Sequence, residues 1–334
     1  MARDGADLLP WSVVLKVARP PAGGVTPRGV APPGWAETPD HWNYWRREAL
    51  LYGSGFLASL PGPLVAPACF GVEEHGGPSV WVWLEELRDE GDPAWPLARY
   101  TTVARHLGQM AGLFLDERRI PAQPWLGGGW LRSWIDDAWA SLRPLIRDRA
   151  AWTRPLVRGA FHDPPGERLE RLWDERERFL AALDALPQTF SHRDAYPGNL
   201  FSRGGQTVAI DWTQAGPGPI GEDVGQTIFP SLLFMHLDAA DLPLIERTIF
   251  DGYAAGLRAV GWRGDPRVVR LGYAASSALH WAFAGAYALR WAENSALGES
   301  MARRWHRPLP DLVRQRAAIT YYLLDLADEA RTLM

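Results

Sequence analysis

The sequence is almost devoid of lysine. Among its 35 lysine and arginine residues, only Lys16 is a lysine, so arginine serves wherever a generic positive charge is enough. The two side chains are not interchangeable where a compact point charge must fit. Lys16 lies in the β-branched run 11–18, which predicts a strand. It is therefore a candidate functional residue, unless a single lysine has survived there by chance.

Cysteine and clustered positive charge are also scarce. Cys69 is the only cysteine, which excludes an intramolecular disulfide and fits a reducing compartment. The net charge is −4 and no basic block occurs, so we expect no nucleic-acid partner. Asp4, Asp7 and Pro10 interrupt the first ten residues. We therefore expect no signal peptide and a cytoplasmic location.

Only one apolar run, residues 271–292, is long enough to span a bilayer. His280 lies at its middle and Arg290 near its end, so the run is better interpreted as a buried core helix than as a membrane span. The chain has 334 residues, of which 47% are hydrophobic and 22% charged. This composition is typical of a globular protein with two domains or one bilobal unit.

The chain divides into a small β-rich part and a large helical part. After strand 11–18, a segment rich in Pro and Gly predicts a loop, and residues 38–56 predict a helix with Asp40 as its N-cap. Two further strands are expected at 63–74 and 78–87. Helical patterns then follow, at 95–115, near 130–145 and at 167–186. A β-hairpin over residues 199–212 interrupts these helices, and most of the remainder is helical.

Polar residues with metal-binding and proton-accepting potential cluster around this hairpin. Asp194 and Asn199 are five positions apart across a Pro-Gly turn in the run HRDAYPGN, and Asp211 ends the second strand of the hairpin. A carboxylate can orient a hydroxyl and take its proton, whereas a carboxylate and an amide oxygen together can form part of a Mg²⁺ shell. Each residue alone could simply favour a turn. The spacing of all three predicts a catalytic site.

This arrangement resembles the aminoglycoside phosphotransferase family of the protein-kinase-like superfamily. The resemblance implies an α+β bilobal fold with a β-rich N-lobe over residues 1–84, a hinge at 85–88 and a helical C-lobe over 89–334. It also implies that Asp194 is the catalytic base, in a catalytic loop over 192–199. Asn199 would be a metal ligand, as would Asp211 in the metal-binding segment 210–212, which stands where protein kinases have D-F-G.

The same resemblance extends to the nucleotide site. Lys16 in VVLKV would bind the α- and β-phosphates of ATP, and Glu48 would pair with it. The segment WLEEL resembles the hinge, so the backbone of Glu85, Glu86 and Leu87 would hold adenine. Two further roles are expected to be structural: Asp223 in GEDVGQ would support the catalytic loop, and His192 would be a packed loop residue. Glu48 alone could equally be a solvated helix residue.

Two departures from the kinase pattern affect the expected function. Only 11 residues separate Asp211 from Asp223, which leaves no room for a phosphorylatable activation segment. We therefore expect a small hydroxyl acceptor and no protein substrate. Only 15 residues precede Lys16, and Gly5 is the sole glycine among them, so we expect the first strand and the glycine-rich loop of the kinase pattern to be missing. We expect a truncated start, the alternative being a protein that works without that lid.

The predicted activity is transfer of the γ-phosphoryl group of Mg²⁺-bound ATP to a hydroxyl of a small molecule. The acceptor is left open among sugars, amino alcohols, aminoglycoside-like compounds and other metabolite alcohols. Its pocket is expected near the C-terminal helices, whose polar and aromatic residues include His236, Asp238, Trp281, Tyr287, Trp291 and Glu293. The helical spacing of these aromatic residues favours a place in the core over one in the pocket. A pseudokinase that holds a nucleotide without turnover is the alternative function, and an unrelated helical scaffold is a third.

Overall fold

The computed structural model describes residues 2–4, 7–9, 11–21, 24–26, 29–31, 34, 36–115, 120–126 and 129–334. Its strands, in chain order, are β1 (Ala2–Asp4), β2 (Asp7–Leu9), β3 (Val13–Ala18), β4 (Gly24–Thr26), β5 (Gly29–Ala31), β6 (Leu64–Val65), β7 (Cys69–His75), β8 (Ser79–Glu85), β9 (Gln188–Ser191), β10 (Leu200–Arg203), β11 (Gln206–Ala209) and β12 (Gly216–Pro219). The predicted loop after β3 thus contains the short hairpin β4–β5, and residues 22, 23, 27, 28, 32, 33 and 35 of that loop lie outside the described residues.

The helices make up most of the chain after β8. They are α1 (Arg47–Gly53), α2 (Leu97–Leu113), α3 (Trp130–Ala140), α4 (Arg143–Arg147), α5 (Arg149–Trp152), α6 (Pro155–Arg158), α7 (Gly166–Asp174), α8 (Arg176–Asp184), α9 (Glu222–Leu233), α10 (Leu242–Ala259), α11 (Pro266–Trp281), α12 (Tyr287–Glu293), α13 (Ser295–Trp305) and α14 (Leu309–Leu333). The expected α+β class, with its strands mainly in the N-terminal part, is confirmed.

The predicted strands around Lys16 form a three-stranded antiparallel sheet in the order β3-β8-β7. Lys16 pairs with Val82 at the centre of the β3–β8 ladder. Partners in an antiparallel ladder project to the same face, and Val82 and Leu84 of β8 are buried. Lys16 therefore lies on the face that packs inward. The hairpin β1–β2 precedes this sheet and forms a two-stranded sheet of its own.

The helix predicted over residues 38–56 is shorter than expected. Helix α1 begins at Arg47, so Asp40 is not its N-cap, and residues 38–46 form turns. The guanidinium of Arg47 donates to the carbonyl oxygens of Pro39, His41 and Trp42, which fold back around it. These contacts hold residues 39–42 in turns around the guanidinium, which accounts for the late start of the helix. The helix ends as predicted at Gly53.

The predicted buried helix over 271–292 is divided in two. Helix α11 ends at Trp281, a 3-10 segment covers Ala282–Ala286, and α12 follows. A side-chain carbon at Gly285 would lie 1.8 Å from Thr320 Oγ1 of α14, so this small-residue segment approaches α14 too closely for a regular helix with larger side chains. The run is buried, as expected. Among the described residues, no helix has both the length and the apolar character needed to cross a bilayer.

The predicted hairpin lies between the sheet and the helices. Strands β10 and β11 pair through the turn at Gly204 and Gly205, and β11 also pairs in parallel with β6. Strand β9 pairs with β12. The connections from β9 to β10 and from β11 to β12 therefore emerge beside each other, and these two connections carry the predicted site residues.

Candidate active site

Lys16 contacts two carboxylates that come from distant parts of the chain. Its Nζ lies 2.5 Å from Glu48 Oε2, on α1, and 3.0 Å from Asp211 Oδ1, just after β11. The second oxygen of Glu48 accepts a hydrogen bond from the backbone N–H of Trp212 at 3.1 Å. Glu48 thus connects the strand lysine to the segment that carries Asp211, and it is a buried ion-pair partner of Lys16 rather than a solvated helix residue.

Burial and charge act in opposite directions in this group. Burial raises the pKa of Glu48 above its ordinary value, and Lys16 offsets only part of that shift. Burial would also raise the pKa of Asp211, but Lys16 outweighs it, so the pKa of Asp211 lies below its usual value. Burial would lower the pKa of Lys16, whereas the two carboxylates raise it. Lys16 and Asp211 are consequently charged at neutral pH.

The segment after β9 is held by Asp223 at the start of α9. The backbone N–H of His192 donates to Asp223 Oδ2 at 3.1 Å, and that of Arg193 donates to Oδ1 at 2.9 Å. Arg193 adopts a left-handed conformation, with φ at 65°. A non-glycine residue in this region is strained unless its surroundings hold it. The two hydrogen bonds to Asp223 provide such support, as the sequence resemblance implied.

His192 is a neutral structural residue. Its Nδ1 accepts from the backbone N–H of Asp194 at 3.2 Å, so the proton resides on Nε2, which donates to the carbonyl oxygen of Ile210 at 3.0 Å. Burial lowers the pKa of His192 to about 4. The imidazole therefore links the segment carrying Asp194 to the segment carrying Asp211 without a charge of its own.

Asp194 and Asn199 contact each other across the Pro-Gly turn. Asn199 Nδ2 donates to Asp194 Oδ2 at 2.7 Å and to the Asp194 carbonyl oxygen at 3.0 Å. This orientation leaves the amide oxygen of Asn199 as its potential metal ligand. The backbone N–H of Ile210 donates to the carbonyl oxygen of Asn199 at 2.9 Å, which places Asn199 beside the residue that precedes Asp211. The donor set, one amide oxygen and one carboxylate, fits Mg²⁺.

Arg193 has a partner that the sequence did not reveal. Its Nε lies 2.9 Å from Glu222 Oε2, and both side chains are buried. The guanidinium also donates to the carbonyl oxygen of Pro217 in β12. A side-chain carbon at Gly218 would lie 2.0 Å from Glu222 Oε2, so only glycine leaves room for this ion pair beside the strand. The pair fastens the segment after β9 to β12 and α9.

The predicted hinge begins at Glu85, the last residue of β8, and continues into a segment without regular secondary structure. The backbone N–H of Glu85 donates to Ala68 and its side chain pairs with Arg203, so Glu85 is engaged on both sides. The side chain of Glu86 accepts from Ser12. Within the described part of the chain, neither Glu86 nor Leu87 is engaged in a backbone hydrogen bond outside the strands and helices. Their peptide groups are thus the better candidates for contacting a purine edge.

Comparison with known protein families agrees with this geometry. The sequence profile described as "Phosphotransferase enzyme family" (APH) matches residues 50–263. The chain belongs to this family. Membership confirms the resemblance predicted from the HRDAYPGN and IDW motifs, as well as the kinase-like α+β fold, and it supports a small-molecule phosphotransferase. A search of curated proteins found no match.

Several solved structures are similar to this phosphotransferase family member, all at low identity. An aminoglycoside phosphotransferase from Alicyclobacillus acidocaldarius has 16% identity and a TM-score of 0.47, with 89% of this chain and 85% of that chain covered. A choline kinase from Cryptosporidium parvum has 13% identity and a TM-score of 0.47, with 87% and 80% covered. A choline/ethanolamine kinase family protein from Mesorhizobium loti has 17% identity and a TM-score of 0.44, with 83% and 85% covered.

A cavity of about 710 Å³ opens beside Asp194 in this phosphotransferase family member. Many of the residues in its wall are aromatic. Six tryptophans of the described part of the chain line it: Trp42, Trp134, Trp139, Trp281, Trp291 and Trp305. Of the described residues in the wall, Asp194 alone is acidic, whereas Arg193, Arg304 and Arg316 are basic. Asp194 is thus the carboxylate positioned to meet a compound that binds in this cavity.

The residues predicted near the acceptor pocket divide into three groups. Trp281, Tyr287 and Trp291 line the cavity beside Asp194. His236 and Asp238 instead line a separate cavity of about 640 Å³. Glu293 is part of neither lining and lies 3.6 Å from the guanidinium of Arg154.

Sequence reasoning missed Arg316, a buried cation in the wall of the cavity. The helical spacing of the neighbouring residues could have indicated that Arg316 is buried. On α14 it follows Leu312 by four residues and precedes Ile319 and Thr320, so it occupies the apolar face of the helix. An arginine on such a face is a signal of a special role.

Proposed function

We propose that this protein transfers the γ-phosphoryl group of ATP to a hydroxyl group of a small molecule in the cavity beside Asp194. The observation that carries the proposal is the convergence of Lys16, Glu48 and Asp211, from three distant parts of the chain, next to the segment that holds Asp194 and Asn199. Phosphoryl transfer needs little covalent participation by the protein, so positioned charge supplies most of the catalysis.

In this proposal Lys16 binds the α- and β-phosphates, and Glu48 holds the ammonium group in place. The backbone of Glu86 and Leu87 contacts adenine, with Glu85 anchoring the end of β8. Residues 1–84 then form the N-lobe, 85–88 the hinge and 89–334 the C-lobe. The compact ammonium group suits the space between two carboxylates, which supports a role for the chain's single lysine at this position.

Asn199 and Asp211 would hold Mg²⁺, which when bound with ATP neutralises phosphate charge. Asp211 is ionised because Lys16 depresses its pKa, so it is ready to bind a cation. The amide of Asn199 is oriented by its hydrogen bonds to Asp194, which leaves its oxygen as the ligand atom.

Asp194 would orient the acceptor hydroxyl and accept its proton. It lines the cavity, and the Asn199 amide holds one of its carboxylate oxygens. The aromatic wall would exclude water from the acceptor, which limits competing hydrolysis of ATP. The short segment between Asp211 and Asp223 contains a 3-10 turn and β12, a compactness that supports a small acceptor rather than a protein.

The test is calorimetric titration of ATP into the purified 334-residue protein, with and without Mg²⁺, for the wild type and for Asp211→Asn. We expect magnesium-dependent binding that the substitution abolishes. The matched control is Asp238→Asn, because Asp238 lines the separate cavity. Binding of ATP that is indifferent to Mg²⁺ and to Asp211 would refute the proposed site.

The alternative, a pseudokinase that binds nucleotide without turnover, predicts the same titration result and differs in catalysis. An acceptor screen that monitors ADP formation separates the two functions. Acceptor-dependent ADP release that disappears in Asp194→Asn supports the kinase. Tight nucleotide binding with no acceptor-dependent turnover across the screen supports the pseudokinase.

A further inference from the structure

Arg316 is a buried cation in the wall of the cavity beside Asp194. It is 8% exposed, and none of the described carboxylates forms an ion pair with it. Its Nη2 donates to the carbonyl oxygen of Leu233 at 3.1 Å, whereas its Nε has no hydrogen-bond partner among the residues that the structure describes. Burial lowers the pKa of Arg316 to about 10, so the guanidinium remains charged at neutral pH. A buried charge is costly unless it is paired or hydrogen-bonded.

Two other buried arginines show how this chain normally satisfies such a group. Arg47 is 3% exposed and donates to five carbonyl oxygens, including that of Thr213 at 2.8 Å. Arg193 is 5% exposed and pairs with Glu222. Arg316 has one carbonyl partner and the face of Trp291, whose ring centre lies 5.6 Å away. It therefore retains unused capacity to bind an anion.

Some other polar groups in the cavity wall are also hydrogen-bond donors or positively charged. The indole Nε1 of Trp281 is a second buried donor without an acceptor in the described protein. Arg304 adds positive charge at an exposed position, and Asp194 supplies the single negative charge. Arg193 is already paired with Glu222. In the described wall a polycation would therefore meet Arg304 and Arg316 against the carboxylate of Asp194, and the electrostatics disfavour it.

We infer that the cavity binds a bulky, largely apolar compound that carries a carboxylate or a similar anionic group, and that Arg316 binds this group. Trp281 and Trp305, the partly exposed tryptophans of the wall, provide apolar surfaces for rings, and the guanidinium supplies paired donors for an oxyanion. That the compound is the phosphoryl acceptor rests on the proposed function. The charge preference of the cavity is independent of the proposed function.

The test uses three probes of one shape and different charge: naphthalene-2-carboxylate, 2-naphthamide and 2-naphthylmethylammonium. Their binding to the full-length protein is measured by calorimetry, in the wild type, Arg316→Met, Arg316→Lys and Arg304→Met. We expect the carboxylate to bind roughly tenfold or more tightly than the amide, with the ammonium compound weakest. This order should disappear in Arg316→Met and persist in Arg304→Met, the matched control at the exposed arginine.

Methionine keeps an unbranched apolar chain in place of the arginine stem and removes a buried charge, so Arg316→Met should fold with an unchanged or higher Tm. If Arg316→Met does not fold, the order of the probe affinities is compared between the wild type and Arg316→Lys. Lysine keeps the charge, so the order should be the same in both proteins. The inference is overturned if the ammonium compound binds as tightly as the carboxylate, if the order survives in Arg316→Met, or if none of the probes binds. Failure of the proposed function has a different signature, namely loss of magnesium-dependent ATP binding with the charge order intact.

Discussion

Lys16 Nζ lies 3.0 Å from Asp211 Oδ1, so the chain's only lysine directly contacts the carboxylate proposed to bind metal. Glu48 Oε2, on helix α1, lies 2.5 Å from the same Lys16 Nζ. The two carboxylates define a narrow, negatively charged space. The phosphates of a bound nucleotide would compete with Asp211 for Lys16, and its cation would compete with Lys16 for Asp211. Nucleotide binding and the Lys16–Asp211 ion pair are therefore coupled.

Replacement of Lys16 by arginine should reduce kcat at least tenfold even though the charge is kept. The planar guanidinium is larger than the ammonium group and cannot occupy the same space between Glu48 and Asp211. Lys16→Met should reduce kcat further, because it also leaves the buried Glu48 carboxylate without its cation. Steady-state ADP release, with thermal melts as the folding control, measures both effects. Wild-type turnover in Lys16→Arg would contradict the assigned role.

Asp194→Asn and Asp211→Asn should separate chemistry from nucleotide binding. Loss of the carboxylate at Asp194 should lower kcat by about 10²–10⁴ while the Kd for Mg²⁺-bound ATP stays within threefold. The Asn199 amide can still donate to the new amide oxygen at position 194, so the turn should be preserved. Asp211→Asn should instead weaken magnesium-dependent ATP binding. Equal losses of binding in both variants would argue against this division of roles.

Breaking the buried pair between Arg193 and Glu222 should destabilise the protein by about 3–5 kcal/mol. Glu222→Gln leaves the guanidinium of Arg193 buried and uncompensated, with the side chain still close to Gly218. Urea denaturation provides the free energy of unfolding. The control is Glu167→Gln, which breaks the highly exposed pair with Arg149 and should have no measurable effect. Similar stability of the two variants would show that the Arg193 pair is unimportant.

Acidification should destabilise the folded state through His192. Burial lowers the pKa of His192 from an ordinary value of 6.5 to about 4. Between these two values the unfolded chain binds a proton that the folded protein excludes, so the contribution of His192 to stability falls as the pH drops from about 6.5 to about 4. The loss would be on the order of 3 kcal/mol. His192→Asn should be less stable at pH 7.5 but should lose less stability on acidification. Identical pH profiles in urea denaturation would contradict this account.

The sequence predicted those parts of the site that depend on local patterns. The β-branched run around Lys16, the Pro-Gly turn between Asp194 and Asn199, and the hairpin that ends at Asp211 have all formed near the expected positions. Each is encoded within a few residues by backbone preference or by alternating hydrophobicity. The order of the family motifs along the chain matches a known fold, and this match indicated that the separate segments belong to one site.

Features that depend on tertiary contacts were not predictable in this way. The start of α1 is set by carbonyl groups that wrap the Arg47 guanidinium, and the break after Trp281 is set by the contact of Gly285 with α14. The partner of Arg193 is 29 residues away and its contact depends on the absence of a side chain at Gly218. Such relationships appear only when distant segments are packed together.

The scarcity of lysine turns the Lys16 ion pair into a spectroscopic reporter. Protein grown with isotopically labelled lysine would give a single side-chain ammonium resonance, because Lys16 is the only lysine of the chain. That resonance would arise where a strand, helix α1 and the segment after β11 converge. Every change at this junction, whether of protonation, nucleotide or cation, would be read from one signal without assignment of the remaining spectrum.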